Sequence, residues 1–315
     1  MITLGIDTSN YTTSVALYDS DGEDLTQRQA LLPVPLGEKG LRQSDAVFAH
    51  LKQLPGLLEE LMEGRPSPDA VGVSIRPRDM QGSYMPCFLA GETAARAIAA
   101  AGKLPVMGFS HQAGHIAAAL FGGQCLEVAN APFLAFHLSG GTTECLLVRP
   151  GSENPFDVEL LGETLDLSAG QVIDRVGVML GLPFPAGPHL EELAARSENT
   201  LPGKPVLKGG DCCLSGLENQ SVALLAKGCA PAEIAAFCQR TVGETVLGMA
   251  KAAAKRHPGL PFLFAGGVMR NGFIRQLIAE GIAGARFAPP ALSADNAAGP
   301  AILCRMAMGR GSRPC

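Results

Sequence analysis

Two segments of the chain decide its fold class: ITLGIDTSNYTTSVALYDSDG, residues 2–22, and FLAFHLSGGTTECLLVRPG, residues 133–151. Each contains an apolar run, a turn of small polar residues, and a second apolar run ending in Asp-Gly or Pro-Gly, which is the pattern of a β-hairpin. The turns, residues 7–10 and 139–142, expose backbone N–H groups and hydroxyls that suit phosphate. Either segment alone is better explained as an ordinary hairpin. Their occurrence at the start of both halves favours phosphate binding.

The segments between and after the hairpins alternate between helix and strand patterns. We predict helices at residues 44–62 (kinked at Pro55), 88–101 and 231–256, and buried strands at residues 70–75, 105–109 and 261–265. This order indicates an α/β protein rather than a helical bundle or a β-sandwich. The length of 315 residues suggests two domains. We place them at residues 1–108 and 109–315, and we expect the last helix to pack back on the first.

Composition excludes several classes of protein. Hydrophobic residues make up 47% and charged residues 17%, which excludes a disordered chain. The net charge of −5 argues against a surface that is basic throughout, although a local basic patch remains compatible with it. Nine cysteines without a CxxC motif are typical of reduced thiols. With no 18-residue apolar run and no leader-like N-terminus, we expect a soluble cytoplasmic protein with no membrane partner.

The segment SHQAGH, residues 110–115, places His111 and His115 four residues apart after a predicted strand. On a helix this spacing puts both imidazoles on one face, which suits two ligands of one metal ion. Two solvent-facing or capping histidines explain this segment alone equally well. The spacing is similar to the HExxH motif of zinc peptidases, but Gln112 stands where the general base would be. An amide cannot act as that base, so peptidase chemistry is disfavoured.

Three further segments carry candidate ligand contacts. A predicted strand ends in Gly266-Gly267, where the backbone can approach a ribose or base closely. Asn271 follows, and it is either a ligand contact or a helix N-cap. Asp174 is either an acceptor for a ribose or substrate hydroxyl or part of a solvated helix face. Asp295 precedes a helix, where a carboxylate is commonly a cap.

Taken together, eight segments resemble, in order and over nearly the whole chain, the TsaD-type proteins that make threonylcarbamoyladenosine in tRNA, formerly described as O-sialoglycoprotein endopeptidases. GIDTSNYTTSVALYD is similar to the family's G-I-E-T-S-C-D-E-T, SHQAGH to H-x-x-x-H, HLSGGTT to V-S-G-G-H-T, and GETLDLSAGQVIDR to G-E-T-x-D-D-A-A-G-E-A-F-D-K. GLPFPAGP is similar to G-L-x-Y-P-G-G-P, CLSGL to F-S-G-L, AGGVMRN to G-G-V-x-A-N, and SADNAA to T-D-N-A-A. Each match is weak alone, but their common order is specific.

The resemblance implies an α/β fold of the actin/Hsp70/sugar-kinase (ASKHA) type, with two lobes and a nucleotide cleft between them. It also implies one iron or zinc ion held by His111, His115 and Asp295. The contacts it implies with ATP or threonylcarbamoyl-AMP fall on Leu138, Ser139, Gly140, Gly141, Asp174, Gly187, Gly267 and Asn271.

The reaction implied by the resemblance is a metal-dependent acyl transfer, not peptide hydrolysis. A threonylcarbamoyl group passes from threonylcarbamoyl-AMP to the exocyclic amine of the adenosine next to the anticodon. The metal and the backbone of Ser139, Gly140 and Gly141 would stabilise the acyl group and phosphate. The implied partners are a nucleotide, tRNA, and a second actin-like subunit or a second copy of the chain.

Several residues near the expected reacting end depart from the family pattern. The acidic pair of D-E-T is Tyr11-Thr12, the His of S-G-G-H-T is Thr142, and the second Asp of D-D-A-A-G-E is Leu167. These changes leave open a divergent paralogue, either a carbamoyl-type transferase with another acceptor or a non-catalytic nucleotide-binding subunit.

A Gly-Pro-Gly-rich stretch of the family is replaced here by Arg76-Pro77-Arg78-Asp79. Arg76 and Arg78, followed by Tyr84, are the candidate for a local RNA-binding patch. An ordinary surface loop is the commoner explanation for such residues.

Overall fold

The chain divides into two units, and each contains a five-stranded sheet. The computed structural model describes residues 1–9, 11–33, 41–152, 154–199, 201–289, 292 and 296–309. The first unit comprises Met1–Leu126, Pro150–Asp157 and Ala291–Cys315, and the second comprises Glu127–Arg149 and Val158–Pro290. The first unit therefore extends past residue 108, where we placed the boundary. The physical reason is that the helix beginning at His111 packs on the last helix, which belongs to the first unit.

The first unit contains a five-stranded mixed sheet. Its strands are β1 (Ile2–Asp7), β2 (Thr12–Asp19), β3 (Asp24–Leu31), β4 (Ala70–Arg76) and β5 (Val106–Ser110). They are ordered β3-β2-β1-β4-β5, with β1, β2 and β3 antiparallel and β4 and β5 parallel to β1. In the β1–β2 pair, Asp7 lies opposite Ser14. The hairpin predicted at residues 2–22 is therefore confirmed.

The second sheet repeats this arrangement. The remaining strands of the described residues are β6 (Phe133–Leu138), β7 (Thr143–Pro150), β8 (Phe156–Glu163), β9 (Val206–Lys208), β10 (Asp211–Cys213), β11 (Phe262–Ala265) and β12 (Arg286–Phe287). The sheet is ordered β12-β11-β6-β7-β8, while β9 and β10 form a separate hairpin. Strands β6 and β7 pair antiparallel, and β11 and β12 run parallel to β6. Both sheets thus join a hairpin to two strands that run parallel to its first strand.

Helices cover the sheets. Within the described ranges they are α1 (Gln43–Met62), α2 (Phe88–Gly102), α3 (His111–Gly122), α4 (Ala169–Met179), α5 (Gly187–Ala194), α6 (Ser215–Ala226), α7 (Pro231–Arg256), α8 (Gly272–Gly281) and α9 (Ala298–Gly309). The three predicted helices are confirmed to within one residue at each end. Helix α7 starts as predicted because the Ala230 N–H donates to Glu233 Oε2 at 2.9 Å. In the part of the chain that the structure describes, no helix is long and apolar enough to cross a membrane.

Helix α9 lies directly on the first sheet. A Cβ at Gly5 of β1 would collide with the backbone and Cβ of Ala301, and a Cβ at Gly72 of β4 would collide with the Pro300 carbonyl. Glycine at these two positions lets the helix backbone reach the strands. The contact fixes β1, whose last residue is Asp7, against α9.

Candidate functional site

The carboxylate of Asp7 is fully buried at the end of β1. Its Oδ1 accepts hydrogen bonds from both the N–H and the Oγ of Ser9, the former at 2.8 Å. Its Oδ2 accepts from Ser74 Oγ at 2.5 Å and faces His111 Nδ1 at 2.8 Å. Burial raises the pKa of Asp7, but the charge of a protonated His111 and the hydrogen bonds from His111, Ser74 and Ser9 outweigh it and hold the pKa below its usual value. Both oxygens of the buried Asp7 carboxylate therefore act as hydrogen-bond acceptors.

The turn after β1 uses its polar groups internally. The Ser9 N–H and hydroxyl bind Asp7, and Thr8 Oγ1 donates to the Cys87 carbonyl at 2.9 Å while accepting the Gly91 N–H at 3.0 Å. We expected this turn to offer such groups to phosphate. In the structure those of Thr8 and Ser9 instead fix the turn to its own strand and to α2.

His111 and His115 lie side by side on α3. Their ring centroids are 4.2 Å apart with planes inclined at 69°, and both side chains are half-buried. The alternative that they cap the helix is wrong, because the N-cap is Ser110, whose Oγ accepts the Ala113 N–H at 3.1 Å. His111 Nε2, the ring nitrogen that does not face Asp7, lies 3.4 Å from Ser9 Oγ.

The N-terminus of α3 is also held from the loop after β4. Arg76 donates from Nε (3.0 Å) and Nη2 (2.6 Å) to Asp79 Oδ1, and Asp79 Oδ2 accepts from Ser110 Oγ at 2.6 Å. Asp79 thus joins an ion pair to the residue that caps α3. The charge of Arg76, which we considered for RNA binding, is neutralised locally, whereas the ring of Tyr84 is exposed.

The predicted metal set is described only in part. Asp295, its third member, lies outside the described residues. Among those that are described, no three His, Cys, Asp or Glu side chains form a group that could hold a metal ion. Of the three predicted ligands, the structure describes the two histidines, and the metal ion remains a prediction.

The turn between β6 and β7 is a closed, well-bonded loop. The Ser139 N–H donates to the Thr142 carbonyl at 2.8 Å, and Ser139 Oγ accepts the N–H groups of Gly141 (3.3 Å) and Thr142 (3.1 Å). Ser168 Oγ donates to the Gly140 carbonyl at 2.7 Å. Some of the N–H groups that we expected to bind phosphate thus already donate to the Ser139 hydroxyl. A Cβ at Gly140 or Gly141 would meet no atom of the described residues within 4 Å, so space remains beside the loop.

The N-terminus of α4 buttresses this loop. The Gly170 N–H donates to the Ser139 carbonyl at 3.1 Å, and a Cβ at Gly170 would lie only 2.6 Å from that oxygen and 2.7 Å from Gly140 Cα. Only glycine permits this approach. The backbone is equally tight where β11 ends beside β6: Gly266 has φ +101°, and a Cβ there would collide with the Leu138 backbone.

The other predicted nucleotide contacts all lie in the second unit. Asp174 of α4 accepts the Ala186 N–H at 2.8 Å through Oδ1, immediately before Gly187 opens α5. Gly267 has open space where a Cβ would stand. Asn271 is the N-cap of α8: its Oδ1 accepts the Ile274 N–H at 2.9 Å, and its Nδ2 donates to Gln239 at 3.2 Å. Both groups of the Asn271 amide therefore already have protein partners.

Asp166 has a structural importance that its sequence position did not reveal. Its Oδ1 accepts the N–H groups of Leu214 and Leu167, each at 2.7 Å, and its Oδ2 accepts from Ser215 Oγ at 2.5 Å. It therefore joins the loop before α4 to the start of α6, 48 residues later. The only sequence signal for Asp166 was its position within the segment GETLDLSAGQVIDR, and that segment does not predict its hydrogen-bond partners.

The departures from the family pattern flank these features. Tyr11 accepts the Leu32 N–H at 2.8 Å through its carbonyl, and Thr12 begins β2. Thr142 closes the β6–β7 turn through its backbone, and the Leu167 carbonyl accepts from Thr164 Oγ1 at 2.6 Å. Tyr11, Thr142 and Leu167 therefore make these hydrogen bonds through the backbone.

Comparison with known sequences gives a consistent match. The family model for tRNA N6-adenosine threonylcarbamoyltransferase (TsaD) matches residues 38–302. A protein of that name from Thermus thermophilus is 33% identical over the whole of this chain and 95% of its own length. Another of the same name, from Bacillus subtilis, is 28% identical over 99% of this chain and 92% of its own length.

Comparison with solved structures concerns the fold alone, because the identities are low. The (R)-2-hydroxyglutaryl-CoA dehydratase component A of Acidaminococcus fermentans aligns with a TM-score of 0.58 at 18% identity, covering 96% of both chains. A ROK family glucokinase from Streptomyces griseus aligns with a TM-score of 0.54 at 13% identity, covering 97% of this chain and 99% of its own. The actin/Hsp70/sugar-kinase-like fold that the sequence implied is confirmed.

Proposed function

Because the chain belongs to the tRNA N6-adenosine threonylcarbamoyltransferase family, we propose that it transfers a threonylcarbamoyl group from threonylcarbamoyl-AMP to the exocyclic amine of the adenosine next to the anticodon in tRNA. Its relatives are named as transferases, not peptidases. The position of Gln112 agrees with that, since its amide cannot replace the general base of an HExxH site. The proposed location is the cytoplasm, because nine cysteines without a CxxC motif are typical of reduced thiols.

The observation that carries the proposal is the imidazole pair of His111 and His115. The two half-buried rings meet edge to face with their centroids 4.2 Å apart, and Asp7 Oδ2 contacts Nδ1 of His111. A metal-ligating histidine almost always donates a hydrogen bond from its other ring N–H to a carboxylate, a carbonyl or water. The donor set present therefore fits one iron or zinc ion, with Asp295 proposed as the third ligand. When bound, that ion would polarise the acyl carbonyl as a Lewis acid.

The second unit supplies the proposed nucleotide contacts. Open space beside Gly140, Gly141 and Gly267 would admit a phosphate or a ribose close to the backbone. Because Ser139 Oγ already accepts the Gly141 and Thr142 N–H groups, the loop is held rigid before any ligand arrives. A loop held rigid in this way would place its backbone dipoles beside a ligand at no reorganisation cost. We propose that Leu138, Gly187 and Asn271 also contact the nucleotide. They would do so through their backbone groups or, for Asn271, through the hydrogen-bonding capacity that its side-chain amide retains.

Asp174 is proposed to orient the adenosine. One of its oxygens holds the Ala186 N–H, which fixes the carboxylate at the start of α5. The other oxygen accepts no hydrogen bond from the residues described, and it would receive a ribose hydroxyl. This role combines a rigid carboxylate with a free acceptor, which is the usual basis of ribose recognition.

A second candidate function is a nucleotide-binding subunit that works only beside a catalytic partner. Tyr11 and Thr12 favour it, because they replace the family's acidic pair beside the Asp7 turn. The neutralised Arg76 also favours it, since tRNA affinity depends largely on lysine and arginine contacts to phosphate. The partner would be another actin-like subunit or a second copy of the chain.

Ligand content separates the two candidates. The protein is purified without added ligand, its metal content is measured by mass spectrometry, and the binding of ATP is measured by calorimetry. If the protein is the proposed transferase, we expect about one iron or zinc ion per chain together with ATP binding. Nucleotide binding without metal would favour the subunit function, and neither ligand would contradict both.

A further inference from the structure

The hydrogen bonds of Asp7 are arranged around one imidazole. Ser9 occupies Oδ1, while Ser74 Oγ and His111 Nδ1 occupy Oδ2. Asp7 ends β1, Ser74 lies on the neighbouring β4, and both side chains are fully buried. The carboxylate is thus held by two adjacent strands, and it contacts the first residue of α3.

This contact determines which ring nitrogen of His111 carries a proton. Ser9 and Ser74 both donate to the Asp7 carboxylate, so the carboxylate also accepts in its 2.8 Å contact with His111, and His111 Nδ1 carries the proton. In the neutral imidazole the lone pair is then on Nε2. A carboxylate that accepts from Nδ1 also restrains the rotation of the ring.

We propose that Asp7 is a positioning residue that holds His111 as the Nδ1–H tautomer with Nε2 directed to the metal ion. This inference rests on the metal-dependent function proposed above. It assigns to Asp7 a role through His111, with no contact of its own to substrate or metal. Since β1 is fixed against α9 at Gly5, the orientation is transmitted from a closely packed strand of the first unit.

The test compares Asp7→Asn with Thr3→Val. Thr3 is a fully buried residue of the same strand, and its Oγ1 donates to the Ala301 carbonyl at 2.8 Å. Zn²⁺ affinity is measured by competition with a chromophoric chelator. We expect Asp7→Asn to bind Zn²⁺ about 10–100-fold more weakly. Thr3→Val should keep wild-type affinity, although its Tm falls. Equal affinities of wild type and Asp7→Asn would overturn the proposal.

A measurement on the wild type makes the test independent of whether Asp7→Asn folds. In Zn²⁺-loaded protein, ¹⁵N NMR of the His111 ring should show a protonated Nδ1 and a metal-bound Nε2. Ligation through Nδ1 would overturn the role of Asp7 while leaving the metal site intact. If His111→Ala binds Zn²⁺ as tightly as wild type, the metal proposal itself fails, so the two failures are distinguishable.

Discussion

His111 and His115 meet edge to face on one side of α3, with ring centroids 4.2 Å apart. We predict that replacing either one with alanine lowers the bound metal from about one ion per chain to below about 0.2, because a site with three protein ligands loses much of its affinity with one of them. Folding should persist, since neither ring is fully buried. Metal analysis and circular dichroism check both statements. His189→Ala, at an exposed position in α5, is the matched control, and metal retention by either His111→Ala or His115→Ala would contradict the prediction.

Substitutions at Gly140, in the β6–β7 turn, and at Gly170, in the helix beside it, test ligand binding and folding separately. Gly140→Ala should leave Tm nearly unchanged, because the new Cβ meets no described atom within 4 Å. It should weaken ATP binding at least tenfold if phosphate occupies that space. Calorimetry and thermal unfolding measure the two effects. Unchanged ATP affinity in Gly140→Ala would refute the proposed phosphate position.

Gly170→Ala should behave differently from Gly140→Ala. Its Cβ would lie 2.6 Å from the Ser139 carbonyl, so the loop backbone must move, at a cost of about 1–3 kcal/mol. The control is Gly216→Ala, also the second residue of a helix, where the nearest atom, Gln220 Nε2, is 3.8 Å away. Chemical denaturation should show a loss of stability for Gly170→Ala only. Equal stabilities would mean that the α4 approach is looser than the structure indicates.

Asp166 should make the stability of the second unit sensitive to acid. Burial raises its pKa, but hydrogen bonds from Ser215, Leu214 and Leu167 outweigh that and lower the pKa below its usual value. A carboxyl whose pKa is lower in the folded state stabilises the fold above its unfolded pKa, and that contribution is lost as pH falls through the folded pKa.

The corresponding variant is Asp166→Asn. We expect its Tm to be about 2–4 °C below that of wild type at pH 7, as for the loss of roughly 1 kcal/mol. The gap should narrow as the pH falls below about 4. Glu159→Gln, which breaks an exposed ion pair with Arg149, is the control and should change Tm little. A Tm gap that stays constant from pH 7 to pH 3 would contradict this assignment.

Arg76 should act on stability rather than on RNA binding. Its guanidinium is paired with Asp79, which is itself bonded to Ser110. Arg76→Ala should destabilise the protein by about 1–3 kcal/mol, since the largely buried Asp79 loses its cation. The slope of log Kd for tRNA against log salt should not change, whereas the loss of a phosphate contact lowers it by about 0.9. Arg96→Ala, in an exposed i,i+4 pair with Glu92, is the control for ion-pair loss. A smaller salt slope for Arg76→Ala would place Arg76 on the RNA.

Much of the fold could be predicted from local patterns. The hairpins were predictable because each turn is tight and its flanking runs are apolar, as the β1–β2 and β6–β7 registers confirm. The start of helix α7 was predictable because Pro231 opens the helix and Glu233 lies in its first turn. The histidine spacing likewise predicted two imidazoles on one face of a helix.

Contacts distant in sequence were not predictable in the same way. Asp7 and His111 are 104 positions apart, and nothing in either segment specifies that β1 and α3 bring them to 2.8 Å. The link between Asp166 and Leu214 depends similarly on how α4 and α6 pack. The boundary near residue 108 was placed by local pattern alone, and α3 belongs to the first unit because of its packing on α9.

The central prediction is that the protein transfers threonylcarbamoyl to tRNA. Purified protein is supplied with threonylcarbamoyl-AMP and unmodified tRNA, with and without candidate partner subunits, and the modified adenosine is measured by mass spectrometry. Given the changes at Tyr11, Thr12, Thr142 and Leu167, we expect slow transfer by the isolated chain, faster transfer with a partner, and none with His111→Ala. No modified adenosine under any condition, from wild-type protein that holds both metal and nucleotide, would contradict the proposed reaction and indicate another acceptor.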